Sequence, residues 1–370
     1  MQIHNASVVA VLVAAMLLPG AILAAQTPRP DAHQTVSVGT ATAARGQRAY
    51  GAIAVPAGSD SATSIQLAVI NGAHPGPVVA FVSGAHGTEY ASIVALTRLI
   101  ERVDPKALSG TVIVVPLLNV ASFEQMVPHV NPVDRKGMNA SYPGDAAGTQ
   151  TQRVLALIAE QVVKPSDVVV DLHGGDLDED LRPYSYWIRG GNAALDSASR
   201  ALALAFGLDM IIVRDVDLTN AASTRSLSGY AMAAGRTTFV AEAGRAGLVL
   251  TDDVDALING SLNVLGALKM IRRAERPRPH VTWVGADARV RADSGAMFFV
   301  TAKRGSTVKK GAKVGYLTDY AGRATGDVLA PQDGIISFIR GVPSLAKGAT
   351  IVTVVKVYGA TPPPYTKPVP

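Results

Sequence analysis

Five apolar residues in a row, Val78–Val82, run straight into Ser83-Gly84-Ala85-His86-Gly87-Thr88-Glu89. A strand with no polar alternation suits burial on both faces, which demands covering layers above and below it. Val112–Leu118 and Val168–Leu172 read the same way, and Ile211–Val213 and Thr237–Ala241 are shorter versions. Amphipathic stretches lie between them. Ala91–Val103 sets Ile93, Leu96, Ile100 and Val103 on one face, and Gln150–Val162 keeps Val154, Leu157, Ile158 and Gln161 in register. Ser197–Phe206 reads as a helix stopped by Gly207, and Thr251 as the cap of a long helix through Val254, Leu257, Ile258, Leu265 and Leu268. Strand and helix alternating from 78 to 273 predict an α/β sheet covered on both faces.

The flanks differ. Residues 33–70 carry short alternating strands, closed by turn residues at Asn71-Gly72 and His74-Pro75-Gly76-Pro77. Pro277–Pro279 interrupt the helical pattern, and from His280 to Val357 short β segments alternate with glycine turns. The last residues, Thr361–Pro370, are Pro-rich and read as a disordered tail. Ala6–Ala25 is nearly all apolar and ends in small residues, as a signal peptide does, although its n-region holds His4 and no Lys or Arg. An uncleaved anchor is the alternative. Either reading exports the remainder, to the periplasm or as a secreted protein. The expected divisions are a signal peptide at 1–25, a linker at 26–34, a catalytic domain at 35–275, a β domain at 280–357 and the tail at 358–370.

The 370 residues contain no cysteine, so disulfides, thiolate metal sites, a cysteine nucleophile and a lipoprotein anchor are all excluded. Any metal must use His, Asp or Glu. The net charge of +5 is scattered and not interleaved with aromatics, which argues against a nucleic-acid partner. The expected partner is a small molecule or peptide, with no stable membrane span after signal cleavage. Oligomeric state is left open, a homo-oligomer included.

Three polar clusters stand where buried strands end, the place where open α/β sheets bind ligands. His86 and Glu89 follow the first strand at a three-residue spacing that turns both toward one point. A surface loop with a helix-start Glu would look the same. His173 ends Val168-Val169-Val170-Asp171-Leu172-His173-Gly174-Gly175, with Asp171 on the same strand face to orient it. Glu242 ends Phe239-Val240-Ala241-Glu242. A hydrogen-bonded histidine and a local capping Glu are the bland alternatives for these two. Taken together, two histidines, a carboxylate and an open position describe a catalytic zinc site, with a separate Glu to move protons.

Ser83-Gly84-Ala85-His86-Gly87-Thr88-Glu89, Val115-Pro116-Leu117-Leu118-Asn119, Asn131-Pro132-Val133-Asp134-Arg135-Lys136-Gly137-Met138-Asn139, Asp171-Leu172-His173-Gly174-Gly175-Asp176, Leu181-Arg182-Pro183-Tyr184-Ser185-Tyr186-Trp187 and Glu242-Ala243-Gly244 occur in this order. In these stretches the chain resembles the succinylglutamate desuccinylase/aspartoacylase family of the zinc carboxypeptidase superfamily, over roughly residues 35–357. The resemblance implies a mixed, mostly parallel sheet with helices on both faces (zinc carboxypeptidase-like). It also implies one Zn2+ per chain on His86, Glu89 and His173, and Glu242 as general base and then general acid. By the same resemblance Asn139 helps bind a substrate carboxylate, Arg135 is the nearest cation in that loop, and Arg182 and Tyr184 line the pocket. The family's Arg before the aromatic-Pro-Gly turn is here Ala140, which removes a guanidinium that would grip a carboxylate. Two expectations follow from Ala140: either another Arg, such as Arg135 or Arg182, takes over the carboxylate, or, the favoured one, the substrate has no carboxylate at that point. The C-terminal β segments resemble the barrel-sandwich fold of biotinyl and lipoyl carriers, but 318–326 lacks the carrier Lys, so this domain is expected to be structural or a lid.

The reading that follows is an amide hydrolase acting on a small N-acyl compound or short peptide. Its rivals are a non-catalytic exported ligand-binding protein on the same fold and an exported adaptor, the latter lacking the long helical hairpin adaptors use.

Overall fold

A computed structural model of the chain describes residues 34–274, 280–359 and 361–368. The expected signal peptide and Pro277–Pro279 lie outside these residues. Among the described residues, thirteen strands form one sheet. From one edge the order is Gln47–Val55, Thr63–Asn71, Ser109–Val115, His74–Ser83, Val168–His173, Thr237–Glu242, Tyr184–Arg189, Met210–Asp215, Thr282–Arg291, Thr350–Val357, Gly334–Arg340 and Thr307–Val308, with Glu179–Leu181 pairing Gly334–Arg340. No helix among these residues is long and apolar enough to cross a membrane.

The unbroken apolar strands sit in the middle, and alternate residues supply opposite cores. Val79, Phe81, Val168, Val170 and Leu172 pack with Leu96, Leu99, Phe206, Leu257 and Leu265 from helices Tyr90–Arg102, Ala193–Phe206 and Thr251–Ala267. Ala80, Val82 and Val169 face the other way, against Val154, Leu155 and Ile158 of helix Gln150–Ile158 and Leu227 and Ala231 of helix Leu227–Ala233. Both faces are therefore covered around the centre.

Several expectations need correction. The sheet is mixed as expected but not mostly parallel: parallel pairing holds only near its centre, interrupted where Thr237–Glu242 meets Tyr184–Arg189 antiparallel. Gln47–Val55 with Thr63–Asn71 and Gly334–Arg340 with Thr350–Val357 pair antiparallel, as a short connection requires, and the other flanking pairs are antiparallel between strands far apart in sequence. Helix Gln150–Ile158 gives way to a π turn at Ala159–Val163, where Gln161 turns aside to accept a hydrogen bond from the Gly39 N–H at 3.0 Å. Thr251 is not the cap of its helix: Leu250 holds that position with no side-chain bond, and Asp252 and Asp253 supply the favourable charge in the first turn. Strand His74–Ser83 already includes Pro75 and Pro77, at its start, where a missing N–H costs little.

The C-terminal strands are not a detached unit. Thr282–Arg291 begins parallel to Met210–Asp215 (Met210 opposite Thr282, Ile212 opposite Val284). It then bulges between Gly285 and Asp287 and continues only with Thr350–Val357. The bulge re-aims the strand. A separate four-stranded sheet, with Ala296–Val300 and Lys313–Thr318 at its centre, packs around Phe298, Val314, Val352 and Val354. The described part of the tail is ordered against the body. Arg189 donates to the carbonyls of Pro363 (2.7 Å) and Pro364 (3.4 Å), and the Thr366 N–H donates to Asp215 at 3.0 Å. Proline lacks an N–H but keeps its carbonyl, so a Pro-rich segment can still be held by a donor such as Arg189.

Gly260 lies inside helix Thr251–Ala267, where alanine would normally gain about 1 kcal/mol in helix propensity. A Cβ there would stand 2.4 Å from Cε1 of Phe206, a buried ring edge-on to Phe239. The ring has no room to yield, and overpacking of this kind costs about 1–3 kcal/mol. Gly260→Ala is expected to lower stability by about 1–2 kcal/mol in urea unfolding; an unchanged or higher midpoint would show that the helix–sheet contact tolerates the methyl.

Candidate active site

Three strand ends meet at one edge. His74–Ser83 leads into the loop of His86. Val168–His173 and Thr237–Glu242 run parallel with His173 directly opposite Glu242, and the antiparallel Tyr184–Arg189 places Tyr184 on the other side of Glu242. Asp171, His173, Val240, Glu242, Tyr184 and Tyr186 thereby share one face of the sheet.

Glu89 is the N-cap residue of helix Tyr90–Arg102, yet its side chain makes no cap bond. The carboxylate, 3% exposed, is turned inward. Oε1 lies 2.6 Å from His86 Nδ1, and Oε2 lies 2.9 Å from His173 Nδ1 and accepts from the Gly174 N–H at 3.0 Å. Donor atoms of His86, Glu89 and His173 all lie within 4.8 Å of one another. Nε2 of His173 faces Asp171 Oδ1 at 3.1 Å and Asn139 Nδ2 at 3.2 Å. The Asn139 Oδ1 is buried without a partner. The loop behind His173 sits close to the one behind Glu242, and a Cβ on Gly244, whose φ is +151°, would stand 2.7 Å from the Gly175 nitrogen.

Charge in the site is strongly coupled. Burial alone would raise the Glu89 pKa, but His86 and His173 outweigh it and hold the carboxyl far below its usual range. Burial opposes a charged His173, yet Asp171 and Glu89 prevail and push its pKa well above the ordinary value. The cluster thus favours a positive charge at its centre. A proton or a metal ion supplies one, and the two compete for the same nitrogens. Glu242 is different. Burial first, and the Glu89 carboxylate after it, push its pKa up to about 7 despite the opposing pull of His173 and a 2.7 Å hydrogen bond donated by Tyr184.

These groups line a cleft of about 500 Å³. One wall comes from the C-terminal strands, through Asp287, Arg289, Phe338 and Thr353 among others. Of the substrate-side residues expected from the sequence, Asn139 and Tyr184 line the cleft, and Arg135 and Arg182 do not. Arg135 is exposed at φ +61° in a turn where its N–H donates to Asn131 O at 2.7 Å. Arg182 is drawn away by Asp209, 2.9 Å from its Nη2. Ala140 is exposed at the end of the single turn Met138–Ala140 and is not a lining residue. Glu179, Tyr186, Arg214 and Arg289 do line it and went unnoticed as site residues in the sequence. Only Tyr186 stood in a quoted motif; nothing in the sequence links Arg214 with Arg289.

A mixed α/β sheet that gathers two imidazoles and a carboxylate at its strand ends, beside a second carboxylate in a cleft, defines an α/β protein with a candidate metal centre. Residues 75–268 match the succinylglutamate desuccinylase/aspartoacylase catalytic domain, and the chain belongs to that family. It is 27% identical over 295 residues, 76% of this chain and 83% of the relative, to an N-alpha-acetyl-L-2,4-diaminobutyric acid deacetylase of Halomonas elongata. The fold is shared with a succinylglutamate desuccinylase/aspartoacylase from Rhodobacter sphaeroides (TM-score 0.74, 24% identity, 84% of this chain and 96% of that one). It is shared also with the product-bound ectoine utilization protein EutE (DoeB) from Ruegeria pomeroyi (TM-score 0.75, 20% identity, 84% and 95%).

A carboxyl with a higher pKa folded than unfolded keeps its proton longer in the folded state. As pH rises from 4.5 through 7, the unfolded chain gives up that proton first and stability falls. Glu242→Gln removes this loss. The metal-free variant should exceed metal-free wild type by about 1–3 kcal/mol at pH 8, with the gap closing toward pH 5. Thermal unfolding of chelator-treated protein at the two pH values checks this, and a variant no more stable than wild type at pH 8 contradicts it.

Proposed function

We propose that the protein is a zinc-dependent amide hydrolase that deacylates a small N-acyl amino compound, with short peptides as the wider substrate class. The observation that carries this reading is the convergence of His86, Glu89 and His173 within 4.8 Å, in the same cleft as the Glu242–Tyr184 pair. Two histidines and one carboxylate are the donor set of hydrolytic zinc centres. His86, Glu89 and His173 would hold the ion, with Asp171 orienting His173 from behind. Zinc in such a set makes water nucleophilic at neutral pH and polarises a carbonyl.

The remaining work falls to the chain. Glu242 takes a proton from the attacking water and delivers it to the leaving amine, a role suited to a carboxyl titrating near neutrality. The Tyr184 hydroxyl orients Glu242 through their hydrogen bond. Asn139 lines the cleft beside His173, its Nδ2 3.2 Å from Nε2 of that ring. The name of the Halomonas relative favours an N-acetylated amino acid, and a cleft of about 500 Å³ suits a ligand of that size. Two further readings belong with this proposal: export of the chain, from the apolar run Ala6–Ala25, and a barrel-sandwich arrangement of the C-terminal strands around Phe298 and Val352.

Purified protein should bind about one zinc per chain, and His86→Ala or His173→Ala should lose most of it in elemental analysis. Full occupancy in both variants would remove the assignment. Glu242→Gln should retain zinc and lose at least about 10²-fold in kcat on N-acetyl amino acids hydrolysed by wild type. Turnover near that of wild type would exclude Glu242 as the proton carrier, and a wild-type enzyme that releases no acyl group from N-acetyl amino acids or short peptides would refute the reading.

A further inference from the structure

Two guanidinium groups line the same cleft as the His/Glu cluster. Arg214 lies on strand Met210–Asp215 and Arg289 on strand Thr282–Arg291, and both line the cleft. Among the described residues the exposed Arg214 guanidinium has no hydrogen-bond or carboxylate partner. Arg289 spends only its Nε, donated to Asp287 Oδ2 at 2.8 Å, and keeps both terminal NH2 groups free. Tyr186 connects them with the proposed chemistry. Its ring packs edge-on against Tyr184 at 5.3 Å, and Tyr184 donates to Glu242. Burial and Glu242 raise the Tyr186 pKa, and Arg214 and Arg289 both oppose that rise, which puts both cations within electrostatic reach of its hydroxyl.

Asp287, on the same strand as Arg289, also lines the cleft. Asp287 engages Arg289 through Nε only, and a guanidinium whose terminal NH2 groups are free can still bind a second partner. It has the geometry to accept an anion through two parallel N–H donors. The place where the family resemblance expects a cation is occupied by Ala140, which is exposed and outside the lining.

We infer that Arg214 and Arg289 form the carboxylate-recognition subsite of this protein, from a core strand and a C-terminal strand, and so determine specificity for N-acyl amino acids over their uncharged analogues. This rests on the hydrolase reading above and replaces the expectation, drawn from Ala140, of a substrate without a carboxylate. It also assigns the C-terminal strands a part in substrate choice, because Arg289 reaches the cleft only after the bulge at Gly285/Asp287.

The test uses full-length, zinc-loaded protein and one pair of probes, N-alpha-acetyl-L-2,4-diaminobutyrate and its carboxamide. Binding is measured by calorimetry in a Glu242→Gln background, so that it is read apart from turnover, and KM and kcat are measured in the Glu242 enzyme. Each comparison includes Arg214→Met, Arg289→Met, the double variant and the paired Lys substitutions. The acid should bind about tenfold more tightly than the amide, and the double Met variant should erase that preference by weakening the acid alone. In turnover the loss should fall on KM with kcat nearly unchanged, as for a contact made equally in ground and transition states. The Lys variants should restore part of the preference, since they keep charge and lose the paired donors. Equal affinity for acid and amide, a preference that survives in the double Met variant, or no measurable binding of the acid would each overturn the inference. Turnover decides the other question separately. Acid-selective, Arg-dependent binding without hydrolysis by wild type refutes the hydrolase reading for this substrate and leaves the subsite standing, whereas hydrolysis without selectivity does the reverse.

Discussion

Glu89 places a carboxylate almost wholly out of water, and the site depends on how that charge is compensated. An unpaired carboxylate at such depth costs several kcal/mol. Here two imidazole nitrogens and the Gly174 N–H surround its oxygens at 2.6–3.0 Å. Those partners come from different parts of the chain. His86 precedes the helix that Glu89 begins, and His173 ends a strand more than eighty residues later. The compensation therefore exists only when the two central strands are side by side, as they are from Val79 opposite Val168 to Ser83 opposite Leu172. The unbroken apolar strands and the buried charge at their ends are two sides of one constraint. The strands must be covered on both faces, and the free space that remains is at their ends.

Where space remains is decided by the covering layers. On one face three helices cover the central strands with Leu96, Phe206 and Leu257. On the other, helices Gln150–Ile158 and Leu227–Ala233 cover only the part near Val82 and Val169. Past them, the residues of this face are Glu242, Tyr184, Tyr186, Ile212 and Arg214, and the cleft lies over them. The C-terminal strands rise beside it because the bulged strand Thr282–Arg291 is shared. Its first rows complete the core sheet and its later ones, paired with Thr350–Val357, build a wall. Glu179–Leu181, from the loop behind His173, also pairs Gly334–Arg340. The loop behind His173 and the wall are thus tied by backbone hydrogen bonds, which couples the geometry of one to the other.

The tail follows the same logic of satisfying buried charge. Arg189 is 5% exposed, and Asp215 alone does not use all its donors. The carbonyls of Pro363 and Pro364 take part of the remainder. A Pro-rich segment that reads as disordered by composition is held here because a buried guanidinium offers more N–H groups than one carboxylate can accept.

The residues His86, Glu89, His173 and Glu242 were legible in the sequence because each follows an apolar strand at close spacing, and strand ends in an α/β sheet point to one edge. Asp171 was legible as a neighbour of His173 because strand periodicity is two. These are local rules, and they hold wherever the strand assignment holds. Arg135 and Arg182 were misread by proximity: one lies in a turn that faces outward, the other is drawn off by Asp209, a partner twenty-seven positions away. Arg214 and Arg289 gave no sequence signal, since a lone Arg on a β segment looks like any solvated cation. Sequence alone determined the class of fold, which polar residues stand at the strand ends and the exclusion of thiolate sites, because composition and short-range periodicity are enough for those. Only the tertiary structure decided which strands pair, which face stays open and which cations reach it, because strand order and the bulge at Gly285/Asp287 are set by contacts among segments far apart in the chain.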